Sequence, residues 1–136
     1  MPHVKLAGEL DPARVWKRPP AYHFSVPEEE LHIKFTESFL NHEENVLLLK
    51  YILVEGRLTQ RVQVLIVRTG AEWLVKLDGT YPILRTAGVK VLLATIGAWL
   101  ASLGLRMVAS NLGPYEARGA FYALHMSAEL EDPTEE

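Results

Sequence analysis

Residues 31–78 read LHIKFTESFLNHEENVLLLKYILVEGRLTQRVQVLIVRTGAEWLVKLD, and two short breaks inside this stretch decide the fold. Gly56-Arg57 separates two apolar runs and suits a two-residue hairpin turn with Gly first, where φ > 0 is required. That turn pairs Glu55 with Leu58, Leu53 with Gln60, Tyr51 with Val62, Leu49 with Val64 and Leu47 with Ile66. Gly70-Ala71 offers a second turn of the same kind, setting Arg68 opposite Trp73, Ile66 opposite Val75 and Val64 opposite Leu77. Side chains alternate across a strand, so a one-residue slip would invert a whole strand. Neither turn demands one. Leu47, Leu49, Tyr51, Leu53, Val62, Val64, Ile66, Trp73, Val75 and Leu77 therefore share one face.

Upstream, a five-residue loop at Asn41–Asn45 pairs Phe39 with Leu47, Phe35 with Tyr51 and Ile33 with Leu53, extending the same face with Glu37 as its one defect. A helix starting at Ser25 competes over 27–41. Ser25-Val-Pro-Glu28 has the form of a capping box, and Leu31, Phe35 and Phe39 would make a helical stripe. The β-branched and aromatic residues Ile33, Phe35, Thr36 and Phe39 favour the strand.

Working outward, Val4, Leu6 and Leu10 suggest a first strand ending at Asp11-Pro12, followed by a Pro-rich connection over 12–20 and a short strand around Tyr22, Phe24 and Val26. Downstream, Pro82 suits the first turn of a helix capped by Thr80 or Tyr81 and running over about 82–103. Leu92, Ile96, Trp99 and Leu103 form its stripe, yet its other faces are also apolar, as in a helix buried on more than one side. Gly104 ends it. The run is too short, and too deep among strands, to span a membrane. A second hairpin is expected after it: Leu105–Leu112, a turn at Gly113-Pro114, and a strand over about 118–130 with Ala120, Tyr122, Leu124, Met126, Ala128 and Leu130 on one side.

The fold class is thus α+β, an antiparallel sheet with a four-strand meander at 31–78 plus N- and C-terminal strands, packed on one long apolar helix. A chain of 136 residues makes one such domain, taken as 1–128, and the acidic stretch 129–136 reads as a frayed tail. Its five acids carry the net charge of −3 below zero; the remainder is about +2, which gives no ground for a polyelectrolyte partner. Cysteine is absent, so neither disulfide nor thiolate chemistry is available, and Met1–Leu10 carries no charged-then-apolar leader pattern. Together these fit a cytoplasmic protein without membrane insertion.

The motifs that carry chemistry are missing. His3, His23, His32, His42 and His125 lack metal-ligand spacing, and His42-Glu43-Glu44 reads as a polar loop. His125 sits among Phe121, Ala123 and Ser127, where a hydrogen-bonded structural role is expected. Lys50 faces Gln63 on the polar half of the sheet's back and reads as a lysine lying along the sheet rather than a Schiff-base amine. Arg14-Val-Trp-Lys-Arg18 mixes basic and aromatic residues as nucleic-acid surfaces do, but one such cluster on a near-neutral body reads as a surface loop with Trp16 tucked in. Gly88-Val-Lys90 is too short for a phosphate loop, and no Gly-x-Ser-x-Gly elbow occurs. The sequence assigns no catalytic residue, metal site or cofactor.

What remains is apolar surface. The back of the sheet gathers Leu40, Val46, Leu48, Leu65, Val67 and Leu74, more than one sheet–helix layer covers, and the long helix has sides to spare. The leading expectation is a non-enzymatic interaction module, a homo-oligomer using the sheet back or the helix surface. The alternative is a small apolar ligand held between sheet and helix by Tyr51, Val64, Trp73, Ile96 and Trp99. The layout is similar to helix-grip lipid-binding folds, in which a sheet wraps a long helix. It departs from them in lacking room for two helices after the first strand and in placing a hairpin after the long helix.

Overall fold

In a computed structural model, the chain is described at residues 1–20, 23–26, 30–80 and 82–130, with the side chains of 23–26 and 125–130 excepted. The elements are β1 (His3–Ala7), α1 (Pro12–Lys17), β2 (His23–Val26), β3 (Leu31–Leu40), β4 (Val46–Glu55), β5 (Leu58–Thr69), β6 (Glu72–Leu77), α2 (Ala87–Ser102), β7 (Arg106–Ser110) and α3 (Tyr115–Leu130). One seven-stranded antiparallel sheet runs in the order β2-β3-β4-β5-β6-β1-β7. The fold is α+β.

Both tight hairpins have the expected register. Glu55 pairs with Leu58, Tyr51 with Val62, Val64 with Leu77 and Arg68 with Trp73, and Gly56 and Gly70 take φ of 57° and 67° at the turns. Tyr51, Val62, Val64, Ile66, Trp73, Val75 and Leu77 all lie buried in one core with Leu47, Leu49 and Leu53. Region 31–40 is strand, and the capping-box helix is not formed; its residues 27–29 lie outside the described set.

The register of β3 changes partway, at Thr36. Up to Phe35↔Tyr51 it is the expected one; beyond, Glu37 pairs with Lys50, Ser38 with Leu49, Phe39 with Leu48 and Leu40 with Leu47. Thr36 is the extra residue of a β-bulge, and its hydroxyl donates to the Lys50 carbonyl at 3.0 Å. The bulge removes the defect that an unbroken ladder would carry. It turns Glu37 to the back, where its carboxylate meets Lys50 at 3.4 Å, instead of burying it in the core. Two expectations are corrected as a result: Phe39 goes to the back and is 47% exposed, while Leu40 packs against the core.

The helices also differ from expectation. Asp11 caps α1 with Pro12 at its first turn, so 12–17 is helical, and Val15 enters the core. The long helix starts at Ala87 with Thr86 as its cap, not at Pro82. Gln60 explains the delay, because its side-chain amide donates to the Leu84 carbonyl at 3.0 Å and accepts from the Leu84 N–H at 2.8 Å. The backbone that a longer helix would need is already engaged.

The largest correction is α3, a 16-residue helix where a strand was expected. Ala120, Tyr122 and Leu124 alternate, but the segment holds no Val, Ile or Thr and several Ala, a helix-forming composition. Gly119 lies against α2 so closely that a β-carbon there would fall 2.5 Å from the Ala94 Cβ and 2.7 Å from the Ala94 carbonyl oxygen. The molecule is therefore three layers deep: sheet, α2, α3. That is why α2 is buried from Gly88 to Gly97 except at Lys90: both the sheet and α3 pack on it. Thr95, the buried polar residue of this helix, donates to the Val91 carbonyl at 2.7 Å. Among the described residues, no helix is long and apolar enough to cross a membrane.

Candidate functional site: the open back of the sheet

Every described helix lies on the core face. Val15 of α1 joins the core, α2 packs chiefly on β1 and β6, and α3 rides on α2. Among the described residues no helix covers the back, so that face is built by the strands alone.

Cross-strand pairing fixes its layout. Phe39, Leu48 and Leu65 stand side by side on β3, β4 and β5, and Lys76 on β6 continues that rank. The adjacent rank holds Val46, Val67 and Leu74, continued by Lys5 on β1. Six apolar side chains thus form two neighbouring rows of three. Five are half-buried by their own cross-strand neighbours, and Phe39 is exposed at the edge. Of the six sequence-derived candidates, the structure brings together Val46, Leu48, Leu65, Val67 and Leu74, and sends Leu40 to the other side. Phe39 takes its place in the patch. The signal for the exchange was Glu37, since a carboxylate in a core position calls for a break in phase before it.

Polar groups border the patch. The next rank is Glu37, Lys50 and Gln63, in which the Lys50 ammonium pairs with Glu37 and sits 5.3 Å from the Phe39 ring centroid. Lys50 lies along the sheet beside Gln63, as its position suggests. Beyond it, Thr36, Glu37, Lys50, Ile52, Arg61 and Gln63 line a shallow depression of about 430 Å³ beside the bulge. At the opposite border Lys5 meets Glu72 at 3.9 Å.

The remaining candidates fall elsewhere. Tyr51, Val64, Trp73, Ile96 and Trp99 are all within 4% of full burial and belong to the packed core between sheet and helices. Burial pushes the Tyr51 phenol far above its ordinary range, and its hydroxyl donates to the Pro20 carbonyl at 3.1 Å. Arg14, Lys17 and Arg18 sit on or just after α1, whose Trp16 is 43% exposed and donates its indole N–H to the Ser38 carbonyl at 3.3 Å. The start of α2 at Gly88-Val-Lys90 is already occupied by an anion of the chain's own: the Gly88 N–H donates to Glu55 at 2.9 Å, and the Thr86 hydroxyl donates to the other Glu55 oxygen. Asp78 accepts from the Thr80 hydroxyl and N–H, which hold its carboxyl below the ordinary range, in a surface turn. No group of three or more metal-ligating side chains occurs among the described residues. The His125 side chain and residues 131–136 of the acidic tail lie outside them.

The site defines an α+β protein with one face of its sheet apolar at its centre and uncovered by any helix among the described residues. A scan against protein-family models found no match, and searches of the curated proteins and of the solved structures found none.

Proposed function

We propose that the protein is a non-enzymatic interaction module that self-associates by packing the back of its sheet against the same face of a second copy. The observation that carries the reading is the pair of apolar rows, Phe39-Leu48-Leu65 and Val46-Val67-Leu74, flanked by Lys76 and Lys5 on a face that no described helix covers. Three physical points support a second copy as the occupant.

An isologous contact lays a patch on itself, so its centre must be neutral and self-complementary. The six side chains meet that condition, and the nearest cation along β4, Lys50, is already paired with Glu37. Area is sufficient. Seven strands about 4.8 Å apart, with about seven to eight residues each at about 3.3 Å, give a face of roughly 820 Å², against about 800 Å² per partner in a standard interface. Geometry is familiar too, since two sheets stack face to face about 10 Å apart with their inner side chains interdigitated. The bordering charges then make a polar rim.

Sedimentation velocity tests this on the wild type, Val67→Lys and Phe39→Ser. The chain mass is 15.3 kDa, and the wild type should sediment at twice that value. Both variants should sediment as monomers with unchanged far-UV circular dichroism. Phe39 is exposed at the edge of the patch, so its replacement leaves the core intact. A monomeric wild type at 100 µM overturns the reading, as do variants that remain dimeric.

A further inference from the structure

A second apolar concavity lies on the opposite side of the molecule. Where the sheet reaches its β7 edge, α2 no longer covers it fully, and α3 leans over from α2 without closing the space. The result is a cleft of about 350 Å³. Val4, Met107 and Leu112 form its floor, Ala94, Ala98 and Ala101 of α2 one wall, and Glu116 and Ala120 of α3 the other. Its volume falls within the range of small-molecule sites, about 300–1,000 Å³.

We infer that this cleft binds the alkyl chain of a single-chain cationic amphiphile, with the cationic head at Glu116. The walls argue for the chain. Alanine side chains on both helices line the trough with methyl groups, and water inside it would find few polar partners. The polar lining argues for the head. Ser110 already accepts from the Leu112 N–H at 3.1 Å, and Glu116 is the charged residue of the described lining. A carboxylate or phosphate head would meet like charge there; an ammonium meets its opposite. The exposed Met107, at 38%, marks the way in from β7. This site is independent of the sheet back and places an apolar ligand outside the core that holds Tyr51 and Trp99.

Methionine-methyl NMR tests it, because Met107 lies on the floor of the cleft. Protein carrying ¹³C-methyl methionine is titrated with dodecylammonium, dodecanol and dodecanoate, each below its micelle concentration. Dodecylammonium should shift the Met107 methyl saturably and bind about two- to fivefold tighter than dodecanoate, the range a partly solvated ion pair supplies. Glu116→Gln should remove that preference while leaving dodecanol binding unchanged. Ala98→Phe, or Ala120→Phe at the more exposed wall, should abolish binding with the fold intact by circular dichroism. A Met107 methyl that no ligand moves overturns the inference. So does dodecanoate binding as tightly as dodecylammonium, or unimpaired binding by either phenylalanine variant.

Discussion

The Glu55 carboxylate occupies the space that a side chain on Gly88 would need: a β-carbon there would lie 2.5 Å from the Glu55 Cδ. The last residue of β4 thereby caps the first turn of α2, joining sheet and helix through one carboxylate. Gly88→Ala should push this flexible carboxylate aside and cost about 1 kcal/mol through its lost hydrogen bonds to Gly88 and Thr86. In a Glu55→Ala background the same substitution should be neutral, or stabilising by up to about 1 kcal/mol, since alanine is the better helix former. A double-mutant cycle by urea denaturation reads the coupling; additive effects would contradict the contact.

Tyr51 supplies a pH dependence with a definite sign. Its phenol is buried and its folded-state pKa lies above the unfolded value of 10.0. Above that pH the unfolded chain releases the proton and the folded chain keeps it, so the stability present below pH 10 is lost as pH rises. The expected slope is about 1.4 kcal/mol per pH unit. It should appear in the wild type and vanish in Tyr51→Phe, which also loses about 1 kcal/mol at neutral pH with the hydrogen bond to Pro20. Equal alkaline slopes in the two proteins would show that the phenol is not held neutral by the fold.

Much of this architecture is legible in the chain because two turns of two residues each transmit phase without ambiguity from Leu47 to Leu77. The ladder needed nothing but odd–even counting. The failures have equally local causes. Counting cannot see an inserted residue, so Phe39 and Leu40 exchange faces across the bulge at Thr36. An alternating series such as Ala120, Tyr122 and Leu124 fits a strand or a helix, and what decides it is the partner: Gly119 finds Ala94 on a helix far earlier in the sequence. Once α3 is in place, the apolar excess on α2 is accounted for within the molecule. The excess on the sheet back is not, and that surface was visible in outline from the start.

The bulge itself can be tested by deletion. Removing Thr36 should leave Glu37 opposite Lys50, Phe39 on the back and Leu40 in the core, because the extra residue alone is lost. The cost should be small, about 1 kcal/mol for the Thr36 hydroxyl bond and local relaxation. Deleting Ser38 instead moves Phe39 into the core phase and Leu40 out of it, and should cost more. Thermal unfolding of the two deletions ranks them. The opposite order would contradict the register.

Gly119 offers a test of the third layer. Gly119→Ala should force α3 away from Ala94, at a cost of about 1–3 kcal/mol. Because α3 rides on α2, the loss should be local. Limited proteolysis is expected to cut within 115–130 while the strands keep their amide protection. Uniform loss of protection across the sheet would show that α3 is integral to the core instead.

The self-association proposal can be probed most directly by distance. The chain has no cysteine, so a single Gln63→Cys variant carries one spin label, on the back of β5 beside the apolar ranks. Pulsed electron–electron resonance on that variant should give an intermolecular distance below about 30 Å, as two sheets stacked about 10 Å apart require. A label at Phe121→Cys, on the outer side of α3, should lie much farther from its copy. The absence of any dipolar modulation from the Gln63 label, at concentrations where the protein is otherwise folded, would contradict the sheet-to-sheet dimer.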